Sequence, residues 1–178
     1  MIVHTIGHST RPFAVFVAAL TGAGIACVAD VRRFPHSRRN PQFEGEALAR
    51  SLPAAGIEYR HLPDLGGRRG AIVGSPHTLW REPAFRNYAD YAETPAFRRA
   101  FAALVVLAAE RPTAIMCAEA LWWQCHRRII ADYLIAGGAE VRHILDVGKI
   151  EPASLTAGAV ARGDGTLLYG GSQAELPV

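Results

Sequence analysis

Five short runs of apolar, β-branched-rich residues recur along this chain, and the segments between them carry helical periodicity. The runs cover residues 2–6, 25–31, 57–62, 113–117 and 141–145. Short apolar strands that alternate with helices imply βαβ units, with a mainly parallel sheet covered on both faces. The expected fold class is therefore α/β: a single Rossmann-like three-layer domain with a sheet of about five strands. A length of 178 residues suits one such domain.

The helical stretches have recognisable punctuation. Ser9 or Thr10 is placed to cap a first helix, with Pro12 in its first turn and Phe13, Phe16, Val17 and Leu20 on one face. Gly22 and Gly24 would stop it. A weaker helix is expected over 43–52. Thr94-Pro95 opens another, with Phe97, Phe101, Leu104, Val105 and Ala108 inward. The last strong helix is expected to start near Gln124, to carry Ile129, Ile130, Tyr133 and Leu134, and to end at Gly137-Gly138. Residues 66–80 form a Gly-rich basic loop, long enough to suggest function. The tail, 151–178, is expected to hold a short helix and an edge strand at 166–169, with a loose end from about 170.

Composition excludes some classes. No apolar run approaches the ~18 residues of a membrane span, and the N-terminus has neither a basic nor a long apolar leader region, so a cytoplasmic protein with no membrane partner is expected. Three cysteines, an odd number, argue for a reducing compartment rather than a disulfide scaffold. Net charge is +3, but of nineteen basic residues only Lys149 is a lysine. The arginines pair at 32–33, 38–39, 68–69 and 127–128. Genome composition accounts for much of this, yet the planar guanidinium also grips phosphate and carboxylate. A pI near 9.0 is compatible with an anionic partner.

The strongest functional signal is an asymmetry. Strand one runs into Gly7-His8-Ser9, strand two into Asp30-Val31-Arg32-Arg33 and Ser37-Arg38, and strand three into Gly66-Gly67-Arg68-Arg69. Strand four runs into Cys117-Ala118-Glu119 and then Cys125-His126-Arg127. The loops at the opposite end are short and plain. Open α/β sheets bind ligands outside the carboxyl ends of their strands. Gly7, Ser9, Ser37, Gly66 and Gly67 are candidate anion cradles, although each also reads as an ordinary turn. Arg32, Arg38 and Arg127 are candidate phosphate holders. Asp30 and Glu119 are candidate acid–base or metal-binding groups. Cys117 and Cys125 are candidate nucleophiles or ligands, with His126 beside them.

Cys125 would begin a helix beside His126 and Arg127, which favours its thiolate, whereas Glu119 disfavours that of Cys117. A divalent metal such as zinc is an alternative, but the spacing Cys-x-Glu-x5-Cys-His is not a standard zinc pattern, and adjacent Cys125 and His126 rarely both reach one ion. Nor is there a Cys-x5-Arg phosphatase loop, since Trp123 stands six residues after Cys117. Cys27 lies mid-strand and reads as core. His4 and His143 read as buried structural histidines. Trp122-Trp123 reads either as packing or as a stacking platform for a base.

The ordered set Thr5-Ile6-Gly7-His8-Ser9, Asp30-Val31-Arg32, Pro35, Ser37-Arg38, Phe43, Gly56-Ile57, Tyr59, Leu65-Gly66-Gly67, Phe85, Tyr88, Cys117, Glu119, Cys125-His126-Arg127 and His143-Ile144 resembles the domain-of-unknown-function family numbered 488. The resemblance extends to Glu151-Pro152 and Leu155-Thr156, and departs from the expected pattern at Ala153, where a histidine is expected. It brings no established reaction. Labels of some members point to DNA repair, which would make nucleic acid a partner. Three functions fit the residues. The first is an enzyme acting on a phosphate-bearing substrate, a nucleotide or nucleic acid. The second is a non-catalytic nucleic-acid-binding module, and the third a thiol-based redox or sulfur-handling protein.

Overall fold

A computed structural model describes residues 1–170. Strands β1 (Ile2–Gly7), β2 (Cys27–Asp30), β3 (Glu58–His61), β4 (Thr113–Cys117) and β5 (Glu140–Asp146) are parallel and lie in the order β3-β2-β4-β1-β5. A sixth strand, β6 (Lys149–Pro152), folds back antiparallel along β5 and forms the edge. The architecture is three-layer α/β, as the alternating pattern requires. All five expected strands are present, within two residues at their ends.

Side chains alternate across each strand. Ile6, Val28, Ala114, Met116 and Ile144 pack under helices α1 (Phe13–Gly22) and α2 (Gly45–Ser51), which contribute Phe16, Leu20 and Leu48. Val3, Ala29, Ile115, Cys117 and Val141 face the other way, toward α3 (Pro83–Ala92), α4 (Pro95–Glu110) and α5 (Arg127–Ala136). Each of the large side chains in these layers contributes about 1.5–3 kcal/mol on burial. In α4, Thr94 Oγ1 accepts from the Phe97 amide at 3.3 Å, and Pro95 takes the first turn, as the sequence predicts. Among the described residues no helix is long and apolar enough to cross a membrane.

Several expectations need correction. Neither Ser9 nor Thr10 caps α1, which starts after Pro12 without a side-chain cap. Instead the amides of His8 and Ser9 continue the pairing of β1 onto Cys117 O and Ala118 O, both at 2.9 Å, and Ser9 turns the chain with φ +50°. Helix α3 was not expected. The helix carrying Ile129 begins at Arg127, after a 3-10 turn at Trp122–Gln124. The described tail contains no helix. Its strand β8 (Leu167–Tyr169) pairs with β7 (Ala159–Ala161) in a separate two-stranded sheet rather than extending the main one. Tyr169 explains the placement. Its ring packs 5.1 Å from Trp80 and its hydroxyl donates to Asp132 Oδ2 at 3.0 Å. The expected loose end from about 170 lies outside the described residues.

Candidate active site

The connections leaving β1 and β4 diverge, one toward β2 over the α1 face and one toward β5 over the α5 face. These neighbouring strands therefore form the topological switch point where open α/β sheets bind ligands. Gly7 and Cys117 are register partners there. Gly7 is obligatory, because a Cβ at that position would lie 1.9 Å from the Glu119 carbonyl oxygen. The close approach seats the loop that carries Cys117, Glu119 and Cys125.

A cavity of about 470 Å³ opens over this loop. Its floor holds Cys117, Cys125 and His126. Glu119, Gln124, Arg32, Arg33, Arg68, His36, Gly67, Phe34, Phe85 and Tyr88 complete the walls. The Cys117 thiol donates to Glu119 Oε2 at 3.0 Å. His126 Nδ1 lies 3.9 Å from Cys117 Sγ and 3.7 Å from Cys125 Sγ. The tautomer follows from the other ring nitrogen. Nε2 is 3.0 Å from the Val31 carbonyl, which only accepts, so Nε2 carries hydrogen and Nδ1 faces the sulfurs.

Arg127 Nε donates to Cys125 Sγ at 3.3 Å. The rest of its guanidinium is committed to the Glu119 carbonyl at 2.6 Å and to Thr5 Oγ1 at 3.5 Å. Thr5 is in turn tied to His143 Nδ1 at 2.8 Å. Burial pushes the Cys125 thiol upward, but the adjoining Cys117 thiol and the charges of His126 and Arg127 outweigh that and hold it well below the ordinary range. Cys117 moves the opposite way, raised first by the adjoining Cys125 sulfur, then by burial and by the negative charge of Glu119. Burial would lower His126, yet the Cys125 thiolate raises it above its ordinary value. The surroundings thus favour the thiolate at Cys125, the thiol at Cys117 and the protonated ring at His126.

The Cys117, Cys125 and His126 ligand atoms lie within 4.8 Å of one another, the reach needed to share a metal ion. Each sulfur also has a protein partner of its own, Glu119 for one and Arg127 for the other.

A second polar cluster lies just behind the arginine wall. Asp30 is fully buried and on the α1 face of β2, opposite Cys117. Arg32 Nε donates to Asp30 Oδ1 at 2.9 Å, and its terminal nitrogen reaches Oδ2 at 2.5 Å. The Tyr59 hydroxyl donates to Oδ2 at 2.7 Å, and the Arg32 amide to Oδ1 at 3.0 Å. His8 donates from Nδ1 to the Ser9 carbonyl at 2.8 Å, leaving Nε2 to accept from Arg32 at 3.2 Å. Burial first, then Arg32, lowers His8 to about 4, so it is neutral.

The family model described as Domain of unknown function DUF488 matches residues 13–134. The chain belongs to this family. Comparison with curated proteins and with solved structures gave no match. The DUF488 match spans both cysteines of the cavity, Glu119, His126 and Arg127, and leaves Gly7 and Ser9 outside it.

The sequence-derived residues divide into three groups within this DUF488 chain. Cys117, Glu119, Cys125, His126, Arg32 and Gly67 line the cavity. Asp30, Arg127, Gly7 and Gly66 support it without lining it, and this changes their roles. Asp30 is buried with both oxygens engaged, so it is no free acid, base or metal ligand. Arg127 is 1% exposed and directs its nitrogens at Cys125 and the loop, so it does not present a fork to a phosphate. The β1 turn offers no amide cradle, because the His8 and Ser9 amides are paired. At Gly66 a Cβ would lie 2.4 Å from the Arg33 amide nitrogen, so its role is close packing. Ser9, Ser37 and Arg38 do not line the cavity. The Ser37 amide donates to Glu44 at 2.6 Å and Arg38 is exposed.

Sequence reasoning noted Arg33 and Arg68 only as members of arginine pairs, and assigned no site role to Phe34, His36, Phe85 or Tyr88. Tyr88 packs its ring 4.9 Å from His126 and donates to the Leu65 carbonyl at 2.6 Å. Arg33 donates to the Arg68 carbonyl at 2.8 Å, which brings two cationic side chains to the rim. Trp122 is a packing residue, stacked on His143 at 4.3 Å and donating to Glu151 at 2.7 Å.

Proposed function

We propose that this chain is an enzyme whose nucleophile is the Cys125 thiolate and whose substrate carries an anionic group, phosphate or carboxylate. The single observation that carries the reading is Cys125 Sγ held between His126 Nδ1 at 3.7 Å and Arg127 Nε at 3.3 Å on the floor of an arginine-rimmed cavity. Cys125 also sits one residue before the cap of α5, where the helix dipole favours a negative charge. In this reading Arg127 stabilises the thiolate, and His126 holds the proton that a leaving group takes. Arg33, Arg68 and the cavity-facing edge of Arg32 receive the anionic group, while Phe85 and Tyr88 form an apolar wall. Such a wall suits a nucleotide base or another flat group.

The test is site-resolved labelling by iodoacetamide from about pH 5 to about pH 9, with and without a chelator. Cys125 is expected to label first and well below neutral pH, and the chelator to change nothing. Cys27, fully buried and raised to about 11 by burial and then by Glu58, is expected to stay unlabelled. Protection of both cavity thiols until chelator is added would replace the nucleophile with a metal centre. Labelling of Cys27 ahead of Cys125 would overturn the reading.

A further inference from the structure

A nucleophilic cysteine does not need a second thiol beside it, still less one with its own carboxylate. Yet Cys117 Sγ shares the cavity floor with Cys125 Sγ, and its proton points at Glu119 Oε2, 3.0 Å away and exposed to the cavity. We propose that Cys117 is a resolving thiol with Glu119 as its base, and that the enzyme reduces anionic disulfides at the expense of its own cysteine pair. The proposal rests on Cys125 being the nucleophile, and it names the class of bond attacked.

The steps balance. The Cys125 thiolate attacks one sulfur of the substrate disulfide. A Cys125–substrate S–S bond forms, the substrate S–S bond breaks, and the leaving thiolate takes the proton held by His126. Glu119 then takes the Cys117 proton, and Cys117 Sγ attacks Cys125 Sγ. The protein disulfide forms, the mixed disulfide breaks, and the second leaving thiolate takes the proton from Glu119. One substrate disulfide becomes two thiols, and two protein thiols become one disulfide. An external dithiol resets the pair by the same exchange. The sulfur atoms, within 4.8 Å of one another, must close to about 2.05 Å, which asks for rotation of the two side chains.

The assignment of groups follows from position. Arg127 donates to Cys125, while His126 lies near both sulfurs, so Cys125 is the sulfur that attacks first. Glu119 addresses only Cys117, so deprotonation there can wait for the mixed disulfide. Arg33 and Arg68 at the rim favour a disulfide bearing carboxylate or phosphate over a cationic one.

Dithiobis-nitrobenzoate, an aromatic dicarboxylate disulfide that releases a coloured thiol, is the probe. The reduced wild-type chain is expected to release two equivalents from this site and to yield a Cys117–Cys125 disulfide in peptide mass mapping. Cys117→Ser is expected to release one and to retain the probe on Cys125. Glu119→Gln should slow the second release about tenfold or more relative to the first. Cystamine, a cationic disulfide, should react more slowly than oxidised glutathione at equal concentration. Wild-type protein that releases one equivalent and keeps the probe on Cys125 would overturn the resolving role while leaving the nucleophile in place. No reaction at Cys125 would overturn both. Mass mapping of the wild type needs no variant, so a misfolded substitution cannot mask the answer.

Discussion

The C-terminal edge of this sheet builds two polar clusters side by side, and they have opposite characters. Behind the cavity wall, Asp30, Arg32, Tyr59 and His8 use their hydrogen-bonding groups on one another, and the buried carboxylate has four donors. On the cavity floor, Cys117, Cys125, His126 and Glu119 face a space of about 470 Å³, and the carboxylate is exposed. The first cluster is charged and closed; the second is charged and open. Charge at a strand end is therefore not itself the mark of a site. The mark is a polar group whose partners are fixed on one side and whose other side meets the cavity, as His126 shows with Nε2 on Val31 and Nδ1 toward the sulfurs. The closed cluster still serves the open one, because Asp30 aims the Arg32 side chain that lines the wall.

The largest expected effect lies in the closed cluster. Asp30→Ala strands the Arg32 charge, which is 5% exposed, and removes the acceptor of Tyr59. Removing one partner of a buried pair costs about 3–5 kcal/mol. Glu119→Gln, on the open floor, should cost less than about 0.5 kcal/mol, as surface substitutions do. Urea denaturation midpoints at unchanged slope measure both. Equal losses would break the distinction between the two clusters.

The clusters should also answer pH with opposite signs. His8 has its pKa depressed to about 4, against an ordinary value near 6.5. Its contribution to stability is fully present above about pH 6.5 and is lost as pH falls through about 4, worth on the order of 3 kcal/mol at most. His126 is raised, so its contribution is present below about pH 6.5 and is lost as pH rises through its folded value. His8→Asn should flatten the acid limb of the stability profile and leave the alkaline limb alone. A His8 ring signal that titrates in the folded protein near pH 6.5 by NMR would refute the closed assignment.

How much of this was legible beforehand follows the same division. The five parallel strands announced themselves by composition and by spacing from helical segments. Cys117, Glu119, Cys125 and His126 were legible because they follow one strand within ten residues, where chain order forces proximity. Helix α3 escaped because its buried face, Tyr88, Ala89 and Ala92, is interrupted by the buried Asp90 and follows a long irregular loop. With it went Tyr88 and Phe85. Asp30 and Arg127 were legible as charges at strand and helix ends, but not their partners. Asp30 turns two residues forward onto Arg32, and Arg127 turns back onto the loop before it, so each reads in sequence like a free ligand. The arginine rim comes from loops, whose paths no periodicity encodes.

The smallest expected effect tests that rim. Arg33 and Arg68 are exposed and joined only through the Arg68 carbonyl, so replacing both with alanine should change stability by less than about 0.5 kcal/mol. Their field should nonetheless raise the local concentration of anions at the cavity mouth. Iodoacetate and iodoacetamide separate this effect from thiol reactivity, since both alkylate Cys125 and only one is charged. In the wild type the ratio of their rates should exceed that of the Arg33→Ala, Arg68→Ala variant roughly threefold to tenfold at low salt. Raising the salt from about 0.01 M to about 1 M shortens the screening length from about 30 Å to about 3 Å, and the two ratios should then converge. A ratio that is the same in both proteins at low salt would mean that the rim does not select anions. An equal fall in both rates would instead mean that the substitutions disturbed Cys125 itself, and the anionic-substrate reading would then rest on Arg32 alone.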